Sequence, residues 1–198
     1  MTDPNFCIET PRLFLGYFIP TNRKHCSFLV TLYNSPLFIS TEGKTEIVDE
    51  DKAKERITAR FVEEHKRHGY GTYLVSLKTT PTTPFPEALP IGSVSLTRGT
   101  DADSLAIPDI GFAIVPEMNR KGYATESAQA LLEHVKKEQG LEEVFGFITD
   151  LHNAPSHRVM EKLGMEYRGV WRLSFFGDKM GKVFVTPGMK ELKQYGIV

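Results

Sequence analysis

Residues 116–127, Pro-Glu-Met-Asn-Arg-Lys-Gly-Tyr-Ala-Thr-Glu-Ser, carry the strongest chemical signal in the chain. An apolar run at 110–115 precedes them and reads as a strand. Behind them Ala124, Ala128, Leu131 and Val135 repeat at four, three and four residues, the spacing of one helical face. A strand thus turns sharply into a helix through a segment holding Arg120, Lys121 and Gly122. Such a turn aims several unpaired backbone N–H groups one way and adds the positive end of a helix dipole, which suits a phosphate-bearing ligand. Gly122 permits close backbone approach, and Ala124 is too small to block it. The residues alone leave open an ordinary strand-to-helix turn with solvated Arg120 and Lys121. They exclude a P-loop, because the lysine precedes the glycine and tyrosine follows it. A dinucleotide fingerprint is also absent, since this turn contains no Gly-x-Gly-x-x-Gly.

A second candidate lies at Asn153 and Ser156, flanked by His152 and His157. Asparagine as N-cap with serine in the first turn suits any helix start, so capping alone accounts for both. Histidine is a residue type suited to proton transfer, but histidines beside a helix start are commonly just solvated. Cys7 and Cys26 are too few for a disulfide framework or a multi-cysteine metal site, and no histidine is evidently paired with either. No metal site is expected.

The 198 residues suffice for one domain with a full core. A net charge of −1 gives no reason to expect nucleic acid or an anionic membrane as partner. No window of about 18 apolar residues occurs, and the first residues lack a basic-then-apolar signal pattern. A cytoplasmic protein, monomer or homodimer, is the expectation.

The elements follow from periodicity. A first strand is expected at 12–18, then a helix capped by Thr21 or Asn22 with His25, Phe28, Leu29 and Leu32 on one face, with Pro36 ending it or following its end. A second helix covers 48–67, with Ala53, Ile57 and Phe61 four apart. Strands at 71–79 and 91–97 flank a loop with four prolines, read as a flexible hairpin insertion, with a flap over a substrate mouth as the alternative. After a loop at 99–108 and the strand at 110–115 come a helix at 122–139, a strand at 143–149 and a helix from Asn153 to a stop at Gly164. Strands at 166–175 and 182–186, and one or two helical turns at 189–195, complete the chain. This order mixes hairpins with crossovers, so a mixed α/β sheet is expected.

Three blocks together resemble the GCN5-related N-acetyltransferases (GNAT), in particular the branch of ribosomal-protein-alanine acetyltransferases. They are Glu9-Thr-Pro-Arg-Leu-Phe-Leu15, the segment from Asp109 to Glu126, and Asn153-Ala-Pro-Ser-His-Arg-Val-Met-Glu-Lys-Leu-Gly-Met165. The resemblance implies an α/β (α+β) fold, with a mostly antiparallel sheet, one central splayed parallel pair and flanking helices. It also implies acetyl-CoA as co-substrate, with its diphosphate on the N–H groups of Arg120, Lys121, Gly122, Tyr123, Ala124 and Thr125. The pantetheine arm would pair with the main chain of Phe112, Ala113 and Ile114, and Asn153 would fix the cofactor. Asn119 stands where the family pattern has glutamine or arginine.

The implied partner is an amine acceptor, either a protein N-terminus or a small molecule. Many relatives donate a proton to the departing thiolate from a tyrosine seven residues after the asparagine. Here that position is Met160, and in the favoured branch the serine takes the role, which nominates Ser156. Asp109 is the candidate base, acting through water, although a strand-end carboxylate is more often simply exposed. Glu46 and Glu87 are further loop carboxylates, and Trp171, Phe175 and Phe176 could line an acceptor cleft. A non-catalytic acyl-CoA-binding module, or phosphate binding by an unrelated α/β enzyme, remains the competing expectation.

Overall fold

A computed structural model describes residues 3–98 and 107–197 of the chain. The loop expected at 99–108 therefore lies outside the described residues, apart from Ile107 and Pro108. Eight strands form one sheet: β1 (Cys7–Glu9), β2 (Leu13–Tyr17), β3 (Thr72–Leu77), β4 (Leu89–Thr97), β5 (Asp109–Ile114), β6 (Phe145–Ile148), β7 (Glu166–Leu173) and β8 (Lys179–Val185). Their spatial order is β1-β2-β3-β4-β5-β6-β8-β7. Every neighbouring pair is antiparallel except β5 and β6.

The parallel pair meets at a single rung, Asp109 opposite Phe145, reinforced by the Phe145 N–H donating to the Pro108 carbonyl at 2.9 Å. Beyond that rung the strands part toward their carboxyl ends, where sheets of parallel strands commonly receive ligands. The fold class read from the sequence is the one observed.

Helix α5 (Tyr123–Gln139) packs its buried Ala128, Leu131 and Val135 and its partly buried Ala124 on the sheet, in the four-three-four pattern the sequence shows. Gly140 ends it at φ 65°, a conformation that costs glycine nothing. Leu131 is fully buried, so Leu131→Ala is expected to destabilise the fold by about 2–5 kcal/mol through lost contacts and a residual cavity. Urea unfolding, with an unchanged slope on denaturant, is the check.

On the other face, α1 (Arg23–Tyr33) and the helical run 50–68 bury Leu29, Ala53, Ile57 and Phe61 against Phe18 and Leu74. Because Tyr73 and Val75 join the α5-side core while Leu74 joins this one, the two faces follow the alternation of β3.

Two local expectations need correction, and two open choices are decided. The first strand is β1, three residues too short to show periodicity; the expected 12–18 segment is the second. Of the two readings of Pro36 the second holds: Asn34 caps the end of α1, and Pro36 follows it and begins α2 (Pro36–Glu42), capped by the Ser35 hydroxyl accepting from the Phe38 N–H. Proline at the first helical position forfeits only an N–H that has no helical partner anyway. The helix expected at 48–67 starts after Asp49, whose carboxylate accepts from the Lys52 N–H. It comprises α3 (Glu50–Arg56), a wider π turn at Ile57–Val62 and α4 (Glu63–His68). Finally, the proline-rich segment is not a flap over the cleft described below. Its Phe85 ring lies 5.6 Å from Phe14 and fills the space above Gly16, where a Cβ would come within 2.1 Å of the ring.

Candidate active site

The divergence of β5 from β6 opens a cleft of about 340 Å³. Ser93, Ser95 and Thr97 of β4 and residues 109–113 of β5 form one wall; Phe147 and Ile148 of β6 form the other. Helix α6 (Ala154–Lys162) contributes Ser156 and Met160, with its cap Asn153. The far end is closed by Tyr33, Phe38, Thr41 and Glu42 on one side and Phe176 and Lys179 on the other. Both sequence-nominated catalytic residues, Asp109 and Ser156, therefore face the same space.

Asp109 is partly buried rather than an exposed strand end. Burial pushes its carboxyl up from 3.8 to about 7, outweighing the 3.4 Å hydrogen bond from the Thr97 hydroxyl and the pull of Arg60. It is thus poised to exchange protons near neutrality. Burial also raises the Glu42 carboxyl, against the opposing charge of Lys179.

The Asn153 side chain accepts from the Ser156 N–H at 3.0 Å, so the capping role read from the sequence is present. The Ser156 hydroxyl still borders the cleft. Met160 is core: it is 2% exposed, and its sulfur would sit 2.8 Å from a Cβ placed on Gly146 of β6. Glycine there is the space that methionine occupies.

Past the carboxyl end of β5, a 3-10 turn at Pro116–Met118 leads into the segment 119–122 and then α5. Arg120 and Gly122 both adopt left-handed backbone, at φ 62° and 84°. Alternation of this kind turns successive N–H groups into one concavity, a nest for anions. Among the described hydrogen bonds none engages the N–H of Arg120, Lys121, Gly122, Tyr123, Ala124 or Thr125, and α5 has no side-chain cap. The segment fits a diphosphate: its free N–H groups converge at a helix N-terminus, and a side chain at Gly122 would intrude. No group of three or more metal-ligating side chains occurs among the described residues.

Other candidates fall away from this space. Glu46, Glu87 and His152 do not line the cleft. His157 packs edge-on against Phe184 at 5.0 Å and pairs with Glu161. The Trp171 indole N–H donates to the Arg168 carbonyl at 2.7 Å, and Phe175 packs on Phe147; of the three late aromatics only Phe176 reaches the cleft. Tyr33, Phe38 and Glu42 were not singled out in the sequence, because the helix carrying two of them was not recognised. The Ser-Pro pair at 35–36 was the available signal.

Comparison with known proteins gives the same frame. The family described as acetyltransferase (GNAT) domain matches residues 19–166. A Bacillus subtilis protein named as the uncharacterized N-acetyltransferase YnaD is 41% identical over 64 residues, 32% of this chain and 37% of that one. The chain thus spans little more than a third of the length of this curated relative. The ribosomal-protein-S5-alanine acetyltransferase of Vibrio fischeri superposes with a TM-score of 0.72 at 15% identity, over 94% of this chain and all of that one. RimL, a ribosomal L7/L12 α-N-protein acetyltransferase solved with coenzyme A, gives 0.68 at 15% identity, over 91% and 97%. At such identities the structural likeness speaks for the fold. The family match covers most of the chain, and the protein belongs to the GNAT family of acetyltransferases, which draw on acetyl-CoA.

Proposed function

We propose that the chain, as one domain over residues 1–198, transfers an acetyl group from acetyl-CoA to a primary amine by direct attack. The observation that carries this reading is a juxtaposition. A nest of unengaged N–H groups at the start of α5 stands at the end of β5, whose other end presents Asp109 to a cleft shared with Ser156. The nest binds the diphosphate. The main chain of Phe112, Ala113 and Ile114, paired with β4 on one edge but left without β6 on the other past Asp109, pairs with the pantetheine amides. Acetyl-CoA supplies an activated acyl group, so alignment provides much of the rate.

The remaining work is proton handling. Asp109, whose carboxyl burial raises to about 7, takes the proton of the incoming ammonium through water. The Ser156 hydroxyl donates toward the departing sulfur. A thiolate is only a weak base near neutrality, so this second contribution is the smaller. Ser156→Ala is therefore expected to lower kcat about tenfold with little change in acetyl-CoA affinity. Equal turnover by the variant in steady-state assays removes Ser156 from the mechanism.

The acceptor end supports an amine. Tyr33 and Phe38 stack at 4.3 Å on one side, Phe147 and Phe176 meet edge-on at 5.5 Å on the other, and Glu42 and Asp109 lie in the same space. Ring faces and carboxylates favour a cationic group. A protein N-terminal amine and a small-molecule amine both satisfy this. The test is thiol release from acetyl-CoA across peptides, polyamines and aminoglycosides. Acetyl-CoA binding without thiol release from any of them would instead make the chain a binding module.

A further inference from the structure

The geometry points to Arg12 as a positioning residue for the diphosphate nest, a role that rests on the cofactor assignment above. Arg12 lies in the corner between β1 and β2, 114 residues from its main partner, Glu126 in the first turn of α5. Its Nε donates to Glu126 Oε2 at 2.6 Å, Nη2 lies 2.6 Å from the same oxygen, and its backbone N–H donates to Oε1 at 3.0 Å. The Thr10 hydroxyl donates to Oε1 as well, at 2.7 Å. The remaining arm, Nη1, donates to the Lys121 carbonyl at 2.9 Å, and the guanidinium lies 4.7 Å from the centre of the Tyr123 ring.

Two physical consequences follow. The Lys121–Gly122 peptide is trans, so its C=O and N–H point in opposite directions. Holding the Lys121 carbonyl toward Arg12 thereby turns the Gly122 N–H away from Arg12. The second consequence is electrostatic. A carboxylate in the first turn suits the dipole of α5, yet it opposes an anion bound at the same end. The guanidinium, with Nε and Nη2 both on Oε2, offsets the charge of Glu126 and leaves the N–H groups as the dominant field. The Arg12 side chain is 47% exposed, so solvent screens the pair, and its effect is on geometry and local potential rather than on global stability.

The test uses the full chain and three probes: inorganic pyrophosphate, acetyl-CoA, and N,S-diacetylcysteamine, a thioester without a diphosphate. For Arg12→Ala, pyrophosphate and acetyl-CoA affinity are expected to fall about tenfold, with the acetyl-CoA KM rising in step and kcat held within about twofold. Turnover of the short thioester stays at the wild-type level, which a general packing defect would not allow. Arg12→Lys recovers only part of the loss, because an ammonium cannot fork between Glu126 and the Lys121 carbonyl. Adding Glu126→Gln to Arg12→Ala improves binding over Arg12→Ala alone by removing the unneutralised carboxylate.

Unchanged pyrophosphate affinity in Arg12→Ala overturns the proposal, as does an equal loss with both thioesters. Wild-type protein that fails to bind pyrophosphate overturns it together with the nest. If the wild type binds pyrophosphate yet releases no thiol from acetyl-CoA, only the proposed activity fails, and the pyrophosphate comparison still decides the role of Arg12.

Discussion

Gly122→Trp is expected to weaken acetyl-CoA binding by at least about a hundredfold, the loss of two or more amide bonds to a charged group. Gly122 holds φ 84°, a region costly to any residue with a Cβ. A Cβ there would also come within 3.3 Å of the Arg12 guanidinium, so an indole ring would displace the group that holds the Lys121 carbonyl. None of the main core clusters includes this position, so circular dichroism should match the wild type and unfolding should stay cooperative, with stability lowered only by backbone strain of about 1–2 kcal/mol. Undiminished affinity by calorimetry would remove the diphosphate from this turn.

The second large effect is at Asp109. Asp109→Asn keeps the size and the hydrogen-bond capacity toward Thr97 but cannot accept a proton, and should lower kcat about a hundredfold, the usual contribution of a general base. Wild-type turnover should climb as pH rises through about 7, where the carboxyl ionises, and the variant should lose that limb. A wild-type profile flat from pH 6 to 8 would exclude Asp109 as the base.

Stability gives an independent reading, with its sign fixed by linkage. The folded-state value, about 7, lies above the ordinary 3.8, so between these limits the folded chain binds the extra proton. The favourable contribution is complete below 3.8 and lost as pH rises through about 7. The asparagine variant should therefore be more stable than wild type at pH 8 and equal to it at acidic pH, by urea unfolding at each.

Elements with a long apolar period were legible in the sequence. The Ala124, Ala128, Leu131 and Val135 stripe of α5, the Asn22 cap and the Gly140 stop are all where local chemistry dictates. Residues 7–9 form a strand only because β2 is there to pair with, and three residues carry no period of their own. Pro36 has two opposite meanings, a stop for the helix before it or a start for the helix after it, and the Ser35 cap decides between them. The π turn at Ile57–Val62 leaves the four-residue spacing of Ala53, Ile57 and Phe61 untouched, so periodicity cannot reveal it.

The candidate site divides in the same way. The nest and the Asn153 cap are local and were readable. The shift at Asp109 depends on walls brought together from β4, β5 and the helical run 50–68. The aromatic end of the cleft depends on α2, and the Arg12 fork joins segments more than a hundred positions apart.

That separation also has a kinetic side. Bringing together ends so far apart carries a closure entropy that grows with the logarithm of the loop, about 0.6 kcal/mol for each doubling. Contacts of such high order form late, after hairpins such as β3–β4 have zipped. During synthesis the corner holding Thr10 and Arg12 must wait until Glu126 has left the ribosome, so the nest takes its final form only after the first five strands have been made.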